Sequence, residues 1–541
     1  MRPGTVRDPF SHIHSMERAV GRLLTRFEGV PRATEHALQR LLVRAEVFES
    51  LPFLRPDAPI LDRLPWHALA AFQAPPSEPP AGFEGSWPQP SLLDARFPPS
   101  VLHVETTERQ LHIRNNVTRY LGQLVLHTPR AALRALTTPR LLPVSDDEIS
   151  HILSATSLSQ LISETLDPAD LAFFSKLIQP GRQERYAKLD FSAMESFGPT
   201  VPGVYVASTV TLLEQEPKEQ YRVVAIRVGD SLFQPSDGAA WLLARYFVLQ
   251  GAQWHLPMHR HPRLHFPYDT INAVTRTLLP RGHVVTKLLW PHLQHTQGLH
   301  EGVIYHRRSV MHNSQREIFT PFPFQTSSIY NSVAVGLQGI AGNSSYPPFL
   351  FDPDPPTTPT MYGRYQRDWY QAIYRFVSQV VAEVSPGDIY VARWADAIQK
   401  WLPGFPGSGE IFRHDTLARS LTSYLCVVSV FHTADHHSYA TIPLQKLPWR
   451  IRVPPPDRLR PSSLNLEDLV SPEDFFRAQL FFPMFIRPTI LESLRDVDYG
   501  FRSTRTAGAA ADLHRSLDKL DATWQGTTFP ASWQVSSSLQ Y

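Results

Sequence analysis

Ten histidines fall between positions 255 and 312, and three more, His432, His436 and His437, follow far downstream. Imidazoles drawn from stretches so remote can share a site only if the fold brings two elements face to face. A mononuclear non-haem metal needs that arrangement: imidazoles from facing helices plus one anionic oxygen, with a position left open for oxygen or water. The chain ends in a free carboxylate at Tyr541, which can serve as that oxygen. A single cysteine, Cys426, excludes an intrachain disulfide framework and a thiolate cluster, so histidine and carboxylate remain as metal ligands. Metal-dependent redox chemistry is the first expectation.

Composition narrows the class. With 541 residues, 42% of them hydrophobic, the chain can bury a large core. Lys and Arg number 52 against 50 Asp and Glu, so no global charge argues for nucleic acid. The start, MRPGTVRDPF, lacks the apolar core of a signal peptide, and the run SYLCVVSVF from Ser423 to Phe431 is too short to span a bilayer. The expectation is a cytoplasmic protein with no transmembrane segment.

The 50 prolines punctuate the chain. An N-terminal helical segment, 1–74, carries Val20, Leu23, Leu24 and Phe27 at helical spacing. Its Arg- and Leu-rich helices could make peripheral membrane contact, although a solvated face on a packed helix is the ordinary explanation. Residues 75–100 read as a proline-rich linker or loop that precedes the main domain, 101–541. From Asp146 onward helical patterns dominate, and only VPGVYVASTVTLL and YRVVAIRVG alternate like strands. The fold class is mainly α with small antiparallel β-sheets. Trp241, Leu242, Leu243 and Phe247 form an apolar helical stripe that reads as core, with Leu242 also a weak pocket candidate.

Five segments in order carry a resemblance: LDFSAMESFGPTVPGVYVASTVTLL from Leu189, YRVVAIRVGDSLFQPSDGAAWLLARYFV from Tyr221, LLPRGHVVTKLLWPH from Leu278, DAIQKW from Asp396 and FHTADHHSYA from Phe431. Together they resemble the lipoxygenase catalytic domain over about two thirds of the chain. The resemblance implies a lipoxygenase-like helical domain holding one non-haem iron per chain, with manganese, used by some relatives, as the other candidate. Residues 1–100 show no regularly spaced strands, so the N-terminal β-sandwich of animal and plant enzymes has no counterpart. The implied type is the compact, divergent, microbial one.

Ligands carry over one at a time. Counting back from His283, the second helix ligand of the family falls on His265 without a gap. The first sits five residues earlier in the family, a spacing that fits a bulged turn, and here that position is Arg260. Its neighbour His261, four residues before His265, can share a face with it on an ordinary helix and is the expected ligand. His259 is the fallback, and His255 matches a histidine that the family keeps near the iron without using it. Pro257, Pro262 and Pro267 are expected to interrupt this helix. The family's later block is histidine, three residues, then asparagine or histidine; aligned on FHTADHHSYA it makes His437 the third imidazole and Thr441 a weak fourth contact. His432 and His436 then read as packing or hydrogen-bonding neighbours. The last implied ligand is the terminal carboxylate of Tyr541, and Val303 falls near a position that influences which carbon is oxygenated.

The implied chemistry removes a hydrogen atom from a doubly allylic C–H bond and adds O2 to the resulting pentadienyl radical, giving a lipid hydroperoxide. An elongated apolar cavity is expected to pass the metal. Three outcomes stand: a dioxygenase of polyunsaturated fatty acids or similar lipids; an oxygenase retuned for another unsaturated metabolite; or a metal-free lipid-binding relative that kept the fold.

Overall fold

The computed structural model describes residues 128–539 apart from 218–219, 281, 294–295, 297–319 and 483–491. The segments expected at 1–74 and 75–100, and the residues Val303 and Tyr541, lie outside these. The architecture is mainly helical with one antiparallel sheet of five strands in sequence order: β1 Ile162–Ser163, β2 Tyr186–Phe191, β3 Thr209–Glu216, β4 Gln220–Val228 and β5 Ser231–Phe233. β3 and β4 fall where the sequence alternates. Their pairing skips from Leu212↔Ala225 to Leu213↔Val223, so Val224 is an extra residue. The bulge moves the inward face from Tyr221 and Val223 to Ile226 and Val228, while Ala225 turns to a small cluster with Phe174 on the far side.

Two large cores divide the helical part. The first joins the sheet to α1 (Asp146–Ser154) and α2 (Ala239–His255); the second is built among the later helices. α2 does not stop at its prolines. It passes through a π-helical turn, Leu256–Arg260, into α3 (His261–His265), then a 3₁₀ turn, Phe266–Tyr268, and α4 (Asp269–Leu278). Backbone angles remain right-handed helical at every junction. Pro257, Pro262 and Pro267 each sit in the first turn of a new segment, where a missing N–H leaves least unsatisfied. The expected interruptions are changes of hydrogen-bond pattern within one continuous rod. Phe266 belongs to the first core and Ile271 to the second, so α3 lies where the rod crosses between them.

A second composite rod faces it. After α5 (Val284–Leu289), α6 (Thr326–Gln338), α7 (Met361–Val381) and α8 (Ile389–Gln399), α9 (Thr416–Leu425) runs through a π-helical turn, Cys426–Phe431, into α10 (His432–Thr441). The apolar run that contains Cys426 is therefore a buried helix of the second core. Ser429 adds a side-chain bond to the Leu425 carbonyl, of the kind that bends helices. Among the described residues no helix is long and apolar enough to cross a membrane.

α11 (Thr504–Trp524) packs on α7, and the chain then returns to the interior. Ser536 N–H donates to Thr433 Oγ1 on α10 at 3.1 Å. The fully buried His292 meets the Ser537 carbonyl through Nδ1 at 2.5 Å and the Tyr499 hydroxyl through Nε2 at 3.2 Å. Burial pulls the His292 pKa down to about 4, with the Ser537 carbonyl opposing the shift.

This packing has two measurable outcomes. A Cβ at Gly336 of α6 would lie 2.8 Å from His259 Cα and 3.2 Å from the Met258 carbonyl oxygen, both backbone of the first π turn. Backbone cannot swing aside, so Gly336→Ala should cost about 1–3 kcal/mol, read as a lower denaturant midpoint; an unchanged midpoint would show that the helices separate freely. His292 binds its proton below pH 6.5 when unfolded but only near pH 4 when folded. Its contribution is thus complete above 6.5 and lost progressively as pH falls towards 4, a loss on the order of 3 kcal/mol. His292→Asn should flatten that part of a stability–pH curve.

Candidate metal centre

The two rods bring four imidazoles together at their crossing. His261 and His265 come from α3, His432 and His436 from the first turns of α10. One nitrogen from each of His261, His265 and His432 lies within 4.8 Å of the other two. Ring centroids are 4.5 Å apart for His261 and His265, 4.9 Å for His261 and His432, and 4.7 Å for His265 and His432. His436 completes the cluster, its ring 4.7 Å from both His261 and His432. His265, His432 and His436 are buried and His261 is half-buried.

Nε2 of His261 and Nε2 of His265 are 2.9 Å apart. Two nitrogens each about 2.1 Å from one ion and at right angles lie about 3 Å apart, so the spacing fits a shared cation. The same distance also fits an N–H···N hydrogen bond between the two rings when one of them carries its proton on Nε2. Neutral imidazole with no sulfur in the set suits Fe, Mn or Zn alike, so the donors fit a first-row divalent metal.

A buried carboxyl group backs one of the imidazoles. His261 Nδ1 is 3.4 Å from Asp435 Oδ2, and Asp435 is fully buried. Its other oxygen accepts from Gln160 Nε2 at 2.8 Å and from the Tyr362 hydroxyl at 3.3 Å. Burial first, and Asp435 second, hold the Tyr362 phenol far above its usual range. Arg260, the residue at the family's first ligand position, has its guanidinium pKa lowered by burial, an effect that Asp435 and Tyr346 oppose.

His255 and His259 face elsewhere. His255 bonds the Gly251 carbonyl at 2.8 Å and the Tyr346 hydroxyl at 2.9 Å, with its ring stacked on Phe191 at 4.4 Å. His259 bonds Ser332 Oγ at 2.7 Å and lies edge-on to Phe197. Burial pulls His255 down to about 4 and His259 well below its ordinary value, so both are neutral near pH 7. The fallback ligand His259 is thus engaged outside the cluster.

The structure also corrects the register on α10. The sequence reading places His437 and Thr441 at the metal, whereas His432 occupies the cluster. Residues five apart on a helix point about 140° apart, so His432 and His437 cannot share a face, while His436, four along, is only about 40° away. Thr441 is exposed, half a revolution from His432. The signal was present: His432 and His436 themselves fit histidine, three residues, histidine, and repeat the spacing of His261 and His265. Leu242 packs against the first core near the start of α2, roughly 28 Å along the rod from His261 at 1.5 Å per residue, so it does not border the cluster.

No family model and no curated protein matches the sequence. Solved structures do match. Manganese lipoxygenase of Gaeumannomyces graminis is 14% identical with a TM-score of 0.61, over 80% of this chain and 92% of that one. Coral 8R-lipoxygenase is 13% identical with a TM-score of 0.60, over 80% and 74%. A lipoxygenase variant crystallised anaerobically with arachidonate is 14% identical with a TM-score of 0.60, over 82% and 76%. At such identities it is the path of the backbone that is shared, and that path gives the chain a lipoxygenase-like fold.

Proposed function

We propose that this chain is a mononuclear non-haem metal dioxygenase of the lipoxygenase kind, acting on a polyunsaturated fatty acid or similar lipid. The observation that carries the reading is the convergence of His261, His265 and His432 at the crossing of the two rods. The similar structures include a manganese enzyme and one bound to arachidonate, which supports the metal class and an unsaturated acyl substrate.

In this reading His261, His265 and His432 hold the metal, with His436 beside the fourth position. The Tyr541 carboxylate supplies the anionic oxygen. Support for the latter comes from the tail: Ser536, five residues before Tyr541, bonds Thr433, the residue after His432. When bound, the metal supplies the one-electron exchange that hydrogen-atom removal from a weak C–H bond requires. The protein's own part is to hold neutral imidazoles in place and to keep their surroundings dry. Burial of His265, His432 and His436 serves both ends, since a ligating imidazole must be unprotonated. Iron is proposed before manganese, and the same donors accept either.

Three measurements test the reading. Metal analysis of purified protein should give close to one iron or manganese per chain, and linoleate in air should then develop the ultraviolet absorbance of a conjugated diene. His432→Ala should lose the metal while His437→Ala retains it; the reverse result would return the third ligand to His437. Deleting Tyr541 moves the terminal carboxylate by up to about 3.3–3.6 Å, more than a coordination sphere tolerates, so metal content and turnover should fall with helicity retained. A C-terminally extended protein with full metal and activity would remove the carboxylate from the ligand set.

A further inference from the structure

We infer that Asp435 is a positioning residue for His261, fixing which of its ring nitrogens faces the cation and locking the two rods in register. The inference rests on the metal reading above and deepens it. A neutral imidazole carries one proton on its two nitrogens, and the partner of one nitrogen decides the role of the other. Asp435 Oδ1 already accepts from Gln160 and Tyr362, which leaves Oδ2, at 3.4 Å from Nδ1, as the acceptor that draws the imidazole proton to that side. Nε2, the nitrogen 2.9 Å from His265, then presents its lone pair to the shared point.

Three separate elements hold the carboxylate. Gln160 reaches Oδ1 from the turn Ser157–Leu161, Tyr362 reaches it from α7, and the backbone of α10 carries it. Asp435 is also fully buried, so water does not dilute its pull. Its place on α10 gives the arrangement its logic. Asp435 stands three residues after His432 and one before His436, so α10 supplies imidazole to the cation and carboxylate to the imidazole of the opposite rod. A rotation or slip of either rod breaks both contacts at once.

The test uses the full chain and Co²⁺ alone as probe, titrated by its visible ligand-field absorption. Asp435→Asn can still accept from Gln160 and Tyr362 through its carbonyl, but it turns an N–H₂ group to His261 Nδ1. The imidazole must then accept there and carry its proton on Nε2, towards the cation. Co²⁺ affinity should fall about 10–100-fold, with an altered band shape and unchanged far-ultraviolet circular dichroism. Asp435→Asn with wild-type affinity and spectrum would overturn the inference and leave the metal reading standing. Absence of Co²⁺ binding in the wild-type protein would overturn both. Should Asp435→Asn fail to fold, Gln160→Met and Tyr362→Phe each remove one bond to Oδ1 while keeping the charge. Each should weaken Co²⁺ binding by a smaller factor, and unchanged binding in both would count against the role.

Discussion

Two backbone hydrogen bonds set the phase of everything at the crossing. His261 N–H reaches back five residues to the Leu256 carbonyl, and His432 N–H reaches back five to the Val427 carbonyl. Each closes a π turn, and each turn contains one residue more than an α-helix would place there. An added residue rotates the succeeding side chains by about 100°. Leu256 and Met258 on one rod, and Val428 and Val430 on the other, can thus stay in the cores while the imidazoles just beyond them face one another. A uniform α-helix would have to give up one face to satisfy the other.

The same turn sorts the four histidines of the first rod into two sets. His255 and His259 share a face, as do His261 and His265, but His259 and His261 are only two residues apart and point about 200° from each other. The first set finds Tyr346, Ser332 and aromatic rings, and those partners satisfy it. The second meets other imidazoles, His432 and His436 of the opposite rod, with one nitrogen each of His261, His265 and His432 close to the other two. Sequence near a site is therefore a poor guide to membership in it; angular position decides.

Strands β3 and β4, the dominance of helix and the shared face of His265 and His261 were all legible, because period-two alternation and four-residue spacing express geometry directly. The prolines misled. Each looks like a helix break when read alone, yet together they mark where one rod changes pitch. Arg260 shows the same lesson from the other side: a five-residue spacing fits a wide turn between two histidines, whereas here that turn lies just upstream, so the histidine that reaches the cluster falls one residue later. On α10 a doubled histidine offered two registers, and only three-dimensional contact with the first rod separates His432 from His437. Asp435 was invisible as a participant, since an aspartate within a helix has no spacing of its own to announce it.

The tail carries a consequence for how the protein is made. Ser537 meets a histidine 245 residues earlier in the chain, and Ser536 meets Thr433 across 103. Contacts of such separation close large loops and are slow to form. The crossing itself spans a comparable distance, His261 to Asp435 across 174 residues, so rods and tail belong to one set of long-range contacts rather than to local structure. A change that loosens the tail is therefore felt at α10 and at His292 together, two places far apart in the chain that the last described residues tie to one another.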